Sequence, residues 1–504
     1  MDEAKIGEKR DMQDKTNVRG LEKRRIFPEF RQTKIVATLG PASSDAKVLR
    51  RMMVAGMDAA RLNLSHGSPD DHQKLVATIR EQSAQLGKHI AILADVPGQK
   101  IRITKLPDAL LDVHIGEELT LTTSHPDDIS KQNNDAPIIH IGPPEYLADI
   151  EPKDTILLKD GIVALSVTSV EQDEIHAKVT QGGALTPGAG VVFPRKKRTV
   201  PFINAHFTNA CLFAASLNPD YLALSFVESG EDIKSARELL QAHEYNIPII
   251  AKIESGEAVR NADEIMEQVD GIMVARGDLG VAMPLEQIPH IQKELIAKAT
   301  ERGIPVITAT EMLESMIYKN RPTRAEVTDV ANAILDGTDC VMLSAETSIG
   351  ADPVQVIRVM ATIITETERY APLNEKPVRI HDYMNVSALV SHAARNIADR
   401  TAVAIVAYTR SGMTARTISH DRPHVPIITI TPDNNIARRV LLYKGVFPFP
   451  STSQEVTTYE ELLSTARELV QKTGIGEKGD HVVVLSGNTK GEMGHTNTIK
   501  VLKI

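Results

Sequence analysis

The sequence predicts an α/β protein: a (β/α)8 TIM barrel, interrupted by a small all-β lid domain and followed by an open α/β domain. Three observations carry that fold class. Eight short aliphatic runs are each followed by an amphipathic stretch, the spacing of the runs is broken once, and the pattern changes again after about residue 372. Runs that are apolar throughout, rather than alternating, are what strands buried on both faces require. Eight such units in one region close into a barrel.

Taken in order, the first 30 residues hold 15 charged ones and too few apolar ones to pack, so 1–30 reads as a charged extension. The barrel is expected over 31–98 and 197–372. Its strand runs are Lys34–Thr38, Ala59–Leu62, Ile90–Ala94, Tyr221–Leu224, Pro248–Lys252, Gly271–Val274, Ile304–Thr308 and Asp339–Leu343. Helical patterns fall at Ala46–Ala55, Pro69–Leu86, Ile233–His243, Pro284–Arg302 and Pro353–Thr367. Between Ala94 and Tyr221 lie more than 120 residues, too many for a βα loop. Within them short runs punctuated by Gly, Pro and Asp (Glu118–Thr122, Ala136–Gly142, Thr155–Leu158, Ile162–Val170, Glu174–Val179) predict a β-barrel lid over 99–196, standing at the mouth of the larger barrel. Residues 373–504 alternate strand runs at Val403–Tyr408, Val425–Ile430, Val446–Pro448, His481–Ser486 and Thr498–Leu502 with helical stretches at Val386–Arg400, Thr414–Ser419, Ile436–Tyr443 and Thr458–Thr473.

Composition narrows the function. A net charge of −9 argues against a general nucleic-acid binder. No run of 18 apolar residues predicts a membrane span, and charges stand where a signal peptide would need its apolar core. Cys211 and Cys340 lie far apart without CxxC or CxxH spacing, which argues against a disulfide framework or structural zinc and fits a reducing, cytoplasmic setting. The basic run Arg195–Arg198 is read as solvated loop at the root of the insertion.

Every candidate for chemistry falls at the C-terminal end of a barrel strand, where barrel active sites form. Lys252 and Glu254, two apart, point the same way, and Asp278 sits in the Gly-flanked turn Arg276–Gly280 after the next strand. Two carboxylates suit a hard divalent cation, and an ammonium beside them neutralises a transferring phosphoryl group. Arg61, Asn63 and Ser65 share a face after the second strand: arginine suits phosphate, and the oxygens of Asn63 and Ser65, extended by Asp95, suit a monovalent cation. Gly98 and its neighbours form a hinge leading to Lys100 and Arg102. Thr310 is expected to cap a helix and to relay a proton, and Ser344 shares a face with Glu346. In the last domain, Thr409–Thr414 precedes a helix whose N–H groups form an anion pocket.

These motifs resemble those of the pyruvate kinases. The resemblance runs from about Lys34 to the C-terminus and rests on Ile250–Val259, Arg61–Gly67, Gly277–Gly280, Ala309–Met316 and Leu343–Thr347. It implies phosphoryl transfer from phosphoenolpyruvate to ADP, then protonation of the enolate to pyruvate. It further implies Mg2+ or Mn2+ on Glu254 and Asp278, charge stabilisation by Lys252 and Arg61, and protonation aided by Thr310 through water. Substrate would be bound by Lys252, Gly277, Asp278, Thr310, Ser344 and Glu346, and nucleotide by Thr38, Pro41, His66, Arg102 and, from the lid, Asp160. A K+ site would use Asn63, Ser65, Asp95 and Val96. Members that need K+ carry Glu where this chain has Lys100, and Thr where it has Val96, so an ammonium at Lys100 is expected to make K+ dispensable. The segment Leu185–Gly190 lacks the lysines common in the family's lid, and Glu311 stands where glutamine is common. Thr409, Ser411, Gly412 and Thr414, with a second half at 487–498, would cradle the phosphate of a sugar-phosphate or nucleotide effector. A homotetramer is also implied. The rival readings are a metal-dependent aldolase or lyase on a related barrel, which would lack the lid and last domain, and a catalytically dead barrel, which would have lost Lys252 or a metal carboxylate.

Overall fold

Eight parallel strands close into a barrel in the order of the chain: β1 (Lys34–Leu39), β2 (Ala59–Asn63), β3 (Ala91–Val96), β4 (Tyr221–Leu224), β5 (Ile249–Ile253), β6 (Gly271–Ala275), β7 (Val306–Ala309) and β8 (Cys340–Leu343), with β8 returning to β1. The computed structural model describes residues 30–98, 100–124, 136–142, 150–171, 174–194, 198, 200–370, 385–450, 458–487 and 496–504. The extension up to residue 29, the basic residues 195–197, most of the second half of the expected effector site and the joint at 371–384 lie outside the described residues.

Alternation along each strand sorts side chains into two sets. Val36, Ala59, Leu93, Ala223, Ile250, Met273, Ile307 and Met342 fill the barrel interior. Their neighbours, such as Ile249, Ala251 and Ile253, pack outward against the helices. Helices start where the sequence supplies an acceptor. Asp45 caps Ala46–Ala55, while Ser68, Ser229 and Thr323 form capping boxes ahead of Pro69–Leu86, Gly230–Ala242 and Arg324–Asp336.

The insertion is a second closed barrel of seven strands, packed around Leu121, Ile139, Ile156, Leu165 and Val179. Four strands of the insertion were missed by the sequence reading: Ile101–Lys105 and Gly190–Val192 in the barrel, and Leu111–Val113 and Gly183–Leu185, which pair with each other in a separate two-stranded sheet. All four are short, and none shows a sustained apolar run.

The last domain is a five-stranded sheet of β9 (Ala404–Tyr408), β10 (Ile427–Thr431), β11 (Val446–Pro450), β12 (His481–Gly487) and β13 (Thr496–Lys503), ordered β11-β10-β9-β12-β13. Only β13 runs antiparallel to its neighbour, and it forms the outer edge. This domain closes the bottom of the large barrel. Leu441 and Leu442, in a 3-10 turn at Val440–Leu442, join the interior apolar cluster, and the Cys340 thiol donates to Leu442 O at 3.4 Å. Around that plug Arg438 and Arg80 both bind the buried Asp220, and Arg422 binds Asp339. The fully buried Lys34 donates to Val446 O at 2.7 Å, with its ammonium 3.7 Å from the Phe447 ring centre. Burial pulls its pKa down to about 8 against the Asp58 charge. No described helix is long and apolar enough to cross a membrane.

Candidate active site

The interior row of side chains changes character at the top of the barrel. Continuing the eight interior positions by two residues gives Thr38, Arg61, Asp95, Ser225, Lys252 and Ser344, with Ala275 and Ala309 at the other two, so over six of the eight strands the apolar core ends in a layer of polar groups. The strand register fixes their neighbours: Thr38 stands opposite Arg61, and Asp95 lies between Asn63 and Ala223.

Lys252 is the centre of that layer and only 8% exposed. Its ammonium lies 2.8 Å from Glu254 Oε1 and 3.2 Å from Asp95 Oδ1, and it donates to Ser225 Oγ at 2.8 Å. Burial opposes the charged form, but Asp95 and Glu254 outweigh it and raise the Lys252 pKa above its ordinary value. Asp95 also receives Arg61 Nε at 2.7 Å, and Arg61 reaches Thr38 Oγ1 at 3.0 Å. Burial pushes Asp95 up, yet Lys252 and Arg61 bring it below the usual carboxylate value. Both oxygens of Asp95 are thereby committed to cations, which leaves little of it for a monovalent ion. Asn63 Oδ1 accepts the Ser65 N–H at 3.2 Å, an Asx turn that shapes the strand end.

Glu254 follows β5 and is 3% exposed. Its Oε2 accepts the N–H of Phe226, held in the left-handed region at φ 56°. Burial, with the Asp278 charge beside it, pushes Glu254 up to about 7 despite Lys252. Asp278 is near enough to hydrogen-bond Glu254, and its Oδ1 takes the Lys100 ammonium at 2.6 Å. Against burial, Lys100 and Lys252 hold Asp278 below the ordinary value. The two carboxylates thus stand together, each faced by a lysine. Among the described residues no trio of His, Cys, Asp or Glu gathers as a metal cage. Two carboxylates alone fit an ion that takes its remaining oxygens from substrate and water, as Mg2+ does.

Thr310 departs from its expected role as a helix cap. No α-helix follows it, only a 3-10 turn at Glu314–Ile317, and Thr310 and Glu311 both adopt left-handed φ, 69° and 54°. The Thr310 hydroxyl accepts the Gly277 N–H at 2.7 Å and donates to Ala309 O at 2.6 Å. The expected open turn at Arg276–Asp278 is the start of a seven-residue helix, Arg276–Ala282, and its Gly277 N–H is already used by Thr310.

Glu346 also differs from expectation. It is 2% exposed and accepts from Ser344 N at 2.6 Å and Leu313 N at 3.1 Å, so it braces two loops instead of facing the mouth. The Ser344 hydroxyl remains buried on the interior row with no hydrogen-bond partner. Thr38 is buried behind Arg61 and donates to Leu343 O, whereas Pro41, His66, Arg102 and Asp160 are exposed. Asp160 sits at φ 54° before Gly161, and Arg102 donates to Gly188 O. In the last domain Thr409 Oγ1 accepts the Gly412 N–H at 2.9 Å, Thr414 Oγ1 pairs with Thr496 Oγ1, and Ser411 is exposed.

Two residues of the site, and the side-chain role of a third, escaped sequence reading. Ser225 and Phe226 directly follow β4, so the strand-end rule applied to the other strands would have found them. Arg276 is the third: it donates to Thr310 O (2.7 Å) and Ala309 O (3.3 Å) while pairing with Asp329 at 2.7 Å. Only the fold reveals that it clamps the Thr310 loop.

Comparison with known proteins agrees with this geometry. Residues 30–357 match the family described as pyruvate kinase, barrel domain, and residues 387–502 match pyruvate kinase, alpha/beta domain. The pyruvate kinase of Geobacillus stearothermophilus is 40% identical over 486 residues, covering 94% of this chain and 80% of the relative. Pyruvate kinase 2 of Synechocystis sp. is 40% identical over 486 residues (94% and 79%). The pyruvate kinase of Corynebacterium glutamicum is 37% identical over 473 residues and covered over 97% of its length.

Proposed function

The chain belongs to the pyruvate kinase family and is a phosphotransferase, and from that premise we propose how its own residues move the phosphoryl group of phosphoenolpyruvate to ADP. The observation that carries the reading is the buried Lys252 ammonium, held by Asp95, Ser225 and Glu254 at the open end of the barrel. Phosphoryl transfer needs positioning and charge neutralisation more than covalent chemistry, and this layer supplies both. Lys252 and Arg61 neutralise the group in flight. Asp95 aims them, because it binds both cations from one carboxylate. Glu254 and Asp278 would hold Mg2+ or Mn2+, which would supply the remaining positive charge facing the anionic substrate. After transfer the enolate carbon takes a proton passed by the Thr310 hydroxyl through water, and the relay recovers that proton from solvent.

The nucleotide is seated by Pro41, His66 and Arg102 at the rim and by Asp160 from the lid, with Thr38 acting through Arg61. Lys100 supplies the charge that K+ would bring, so activity is expected without K+, and a large rise on adding K+ would refute this. Thr409, Ser411, Gly412 and Thr414 receive the phosphate of a sugar-phosphate or nucleotide effector. The outer edge of β13, which pairs with no further strand among the described residues, offers backbone groups for assembly toward a homotetramer. The two described cysteines are buried and unpaired, which suits a cytoplasmic enzyme.

The test is a coupled assay for pyruvate formed from phosphoenolpyruvate, with and without ADP. Strict dependence on ADP separates a kinase from a lyase. Lys252→Met should lower kcat by about a hundredfold or more, the usual consequence of deleting a transition-state donor. Activity that survives the substitution would remove Lys252 from the mechanism.

A further inference from the structure

The two lysines at the carboxylate pair are held in different ways. Lys252 is 8% exposed, sits on a barrel strand and has three partners, so it cannot leave. The Lys100 side chain is 36% exposed, lies at the root of the lid just before Ile101–Lys105, and meets Asp278 through one contact of 2.6 Å. An ion pair this open is weak, and a divalent cation carries twice the charge of the ammonium it would displace from the same oxygen.

The lid root touches the other carboxylate as well. The Lys100 ammonium stands 5.1 Å from the centre of the Phe226 ring, and the N–H of Phe226 binds Glu254 at 2.7 Å. Gly98 lies so close to that ring that an added Cβ would come within 2.3 Å of it. The base of the lid is therefore tied to both metal carboxylates, to Asp278 through Lys100 and to Glu254 through Phe226.

We propose that Lys100 is an exchangeable counter-ion: it neutralises Asp278 in the metal-free protein, leaves that carboxylate when metal loads, and is then free to meet the anionic substrate. Lid attachment and metal occupancy compete for one oxygen, so the lid root is released as the site becomes competent. This inference rests on the reading of Glu254 and Asp278 as the divalent metal pair. It adds to the K+ expectation a role for Lys100 before any substrate arrives.

The experiment is a Mn2+ titration of the full chain without substrates, followed by the electron paramagnetic resonance of free Mn2+, for the parent, Lys100→Met and Lys100→Gln. Removing the competing ammonium should tighten Mn2+ by about threefold to tenfold, counting both the lost pair and the relieved repulsion. Calorimetry on the Mn2+-loaded proteins should show phosphoenolpyruvate binding weakened several-fold in both variants. Amide exchange in Ile101–Lys105 should quicken when the parent takes Mn2+, and should already be fast in the variants. Mn2+ affinity that is unchanged or weaker in both variants overturns the proposal. Tighter Mn2+ with unaltered substrate affinity overturns the hand-over to substrate. Glu254→Gln serves as the separate control: if it binds Mn2+ like the parent, the metal-pair reading itself fails.

Discussion

Replacing Arg276 by lysine should damage enolate protonation more than phosphoenolpyruvate binding. Thr310 and Glu311 both hold left-handed φ without being glycine, at about 1–3 kcal/mol each, so something must pin them there. Arg276 does so: one guanidinium reaches Thr310 O, Ala309 O, Gln292 Oε1 and the Asp329 carboxylate. A lysine has no fork to span these acceptors and would retain one or two of them. Each charge-assisted bond lost is worth about 1.5–3 kcal/mol, comparable to the strain it offsets, so the loop relaxes and the Thr310 hydroxyl drifts. If about 1.4–2.7 kcal/mol of that loss falls on the protonation step, its rate drops roughly tenfold to a hundredfold. The step can be isolated by following exchange of the pyruvate methyl protons with solvent deuterium by NMR, and compared with phosphoenolpyruvate affinity measured by calorimetry. Exchange should collapse while affinity changes little. Exchange at the parent rate, or affinity falling as far as exchange, would show that Arg276 does not act through Thr310.

Two further outcomes follow from the seam between barrel and C-terminal domain. Leu442→Ala empties a fully buried position inside the barrel's closed end and should cost about 2–5 kcal/mol, read from denaturant unfolding; a loss under about 1 kcal/mol would mean the plug is not packed as described. His420, beside Gly303, Arg416 and Arg422, has its pKa lowered to about 4 by burial first and Arg422 second, with Asp339 opposing. Its folded value lies below its unfolded one, so stability is complete above about pH 6.5 and falls as pH drops toward 4, by up to about 1.4 kcal/mol per unit. His420→Gln should flatten that acid limb, and an unchanged slope would assign it to other groups.

The barrel and its topology were legible because parallel strands buried on both faces leave uninterrupted aliphatic runs. The lysine and two carboxylates were legible because charges at the ends of such runs have no ordinary reason to be there. What stayed hidden was set by distant partners. Gly277-Asp278-Leu279-Gly280 reads as a turn, yet the segment is helical, with Thr310 receiving one of its N–H groups. Glu346 shares parity with Ser344 on paper, but Leu313 N draws its carboxylate away from the mouth. Thr310 looks like a cap because a hydroxyl precedes acidic and apolar residues; Arg276, reaching back from the preceding strand end, selects a strained loop instead. The short lid strands were missed because three to five residues, in the small barrel or in the two-stranded sheet beside it, are too few to give a long apolar run.

The charges in the mouth also set a condition on how ligands arrive. Arg61, Lys252 and Lys100 balance Asp95, Glu254 and Asp278 through direct contacts, so the site is close to neutral before anything binds. Divalent metal added alone leaves it with excess positive charge in a partly buried place, and anionic substrate added alone meets carboxylates that repel it. Each ligand removes the penalty of the other, and by linkage the enhancement is the same in both directions. Mn2+ should therefore bind more tightly in the presence of phosphoenolpyruvate, by the factor with which Mn2+ strengthens phosphoenolpyruvate. Two independent titrations measure that pair of factors. If they agree but show no enhancement, the balance of charge drawn here does not govern binding.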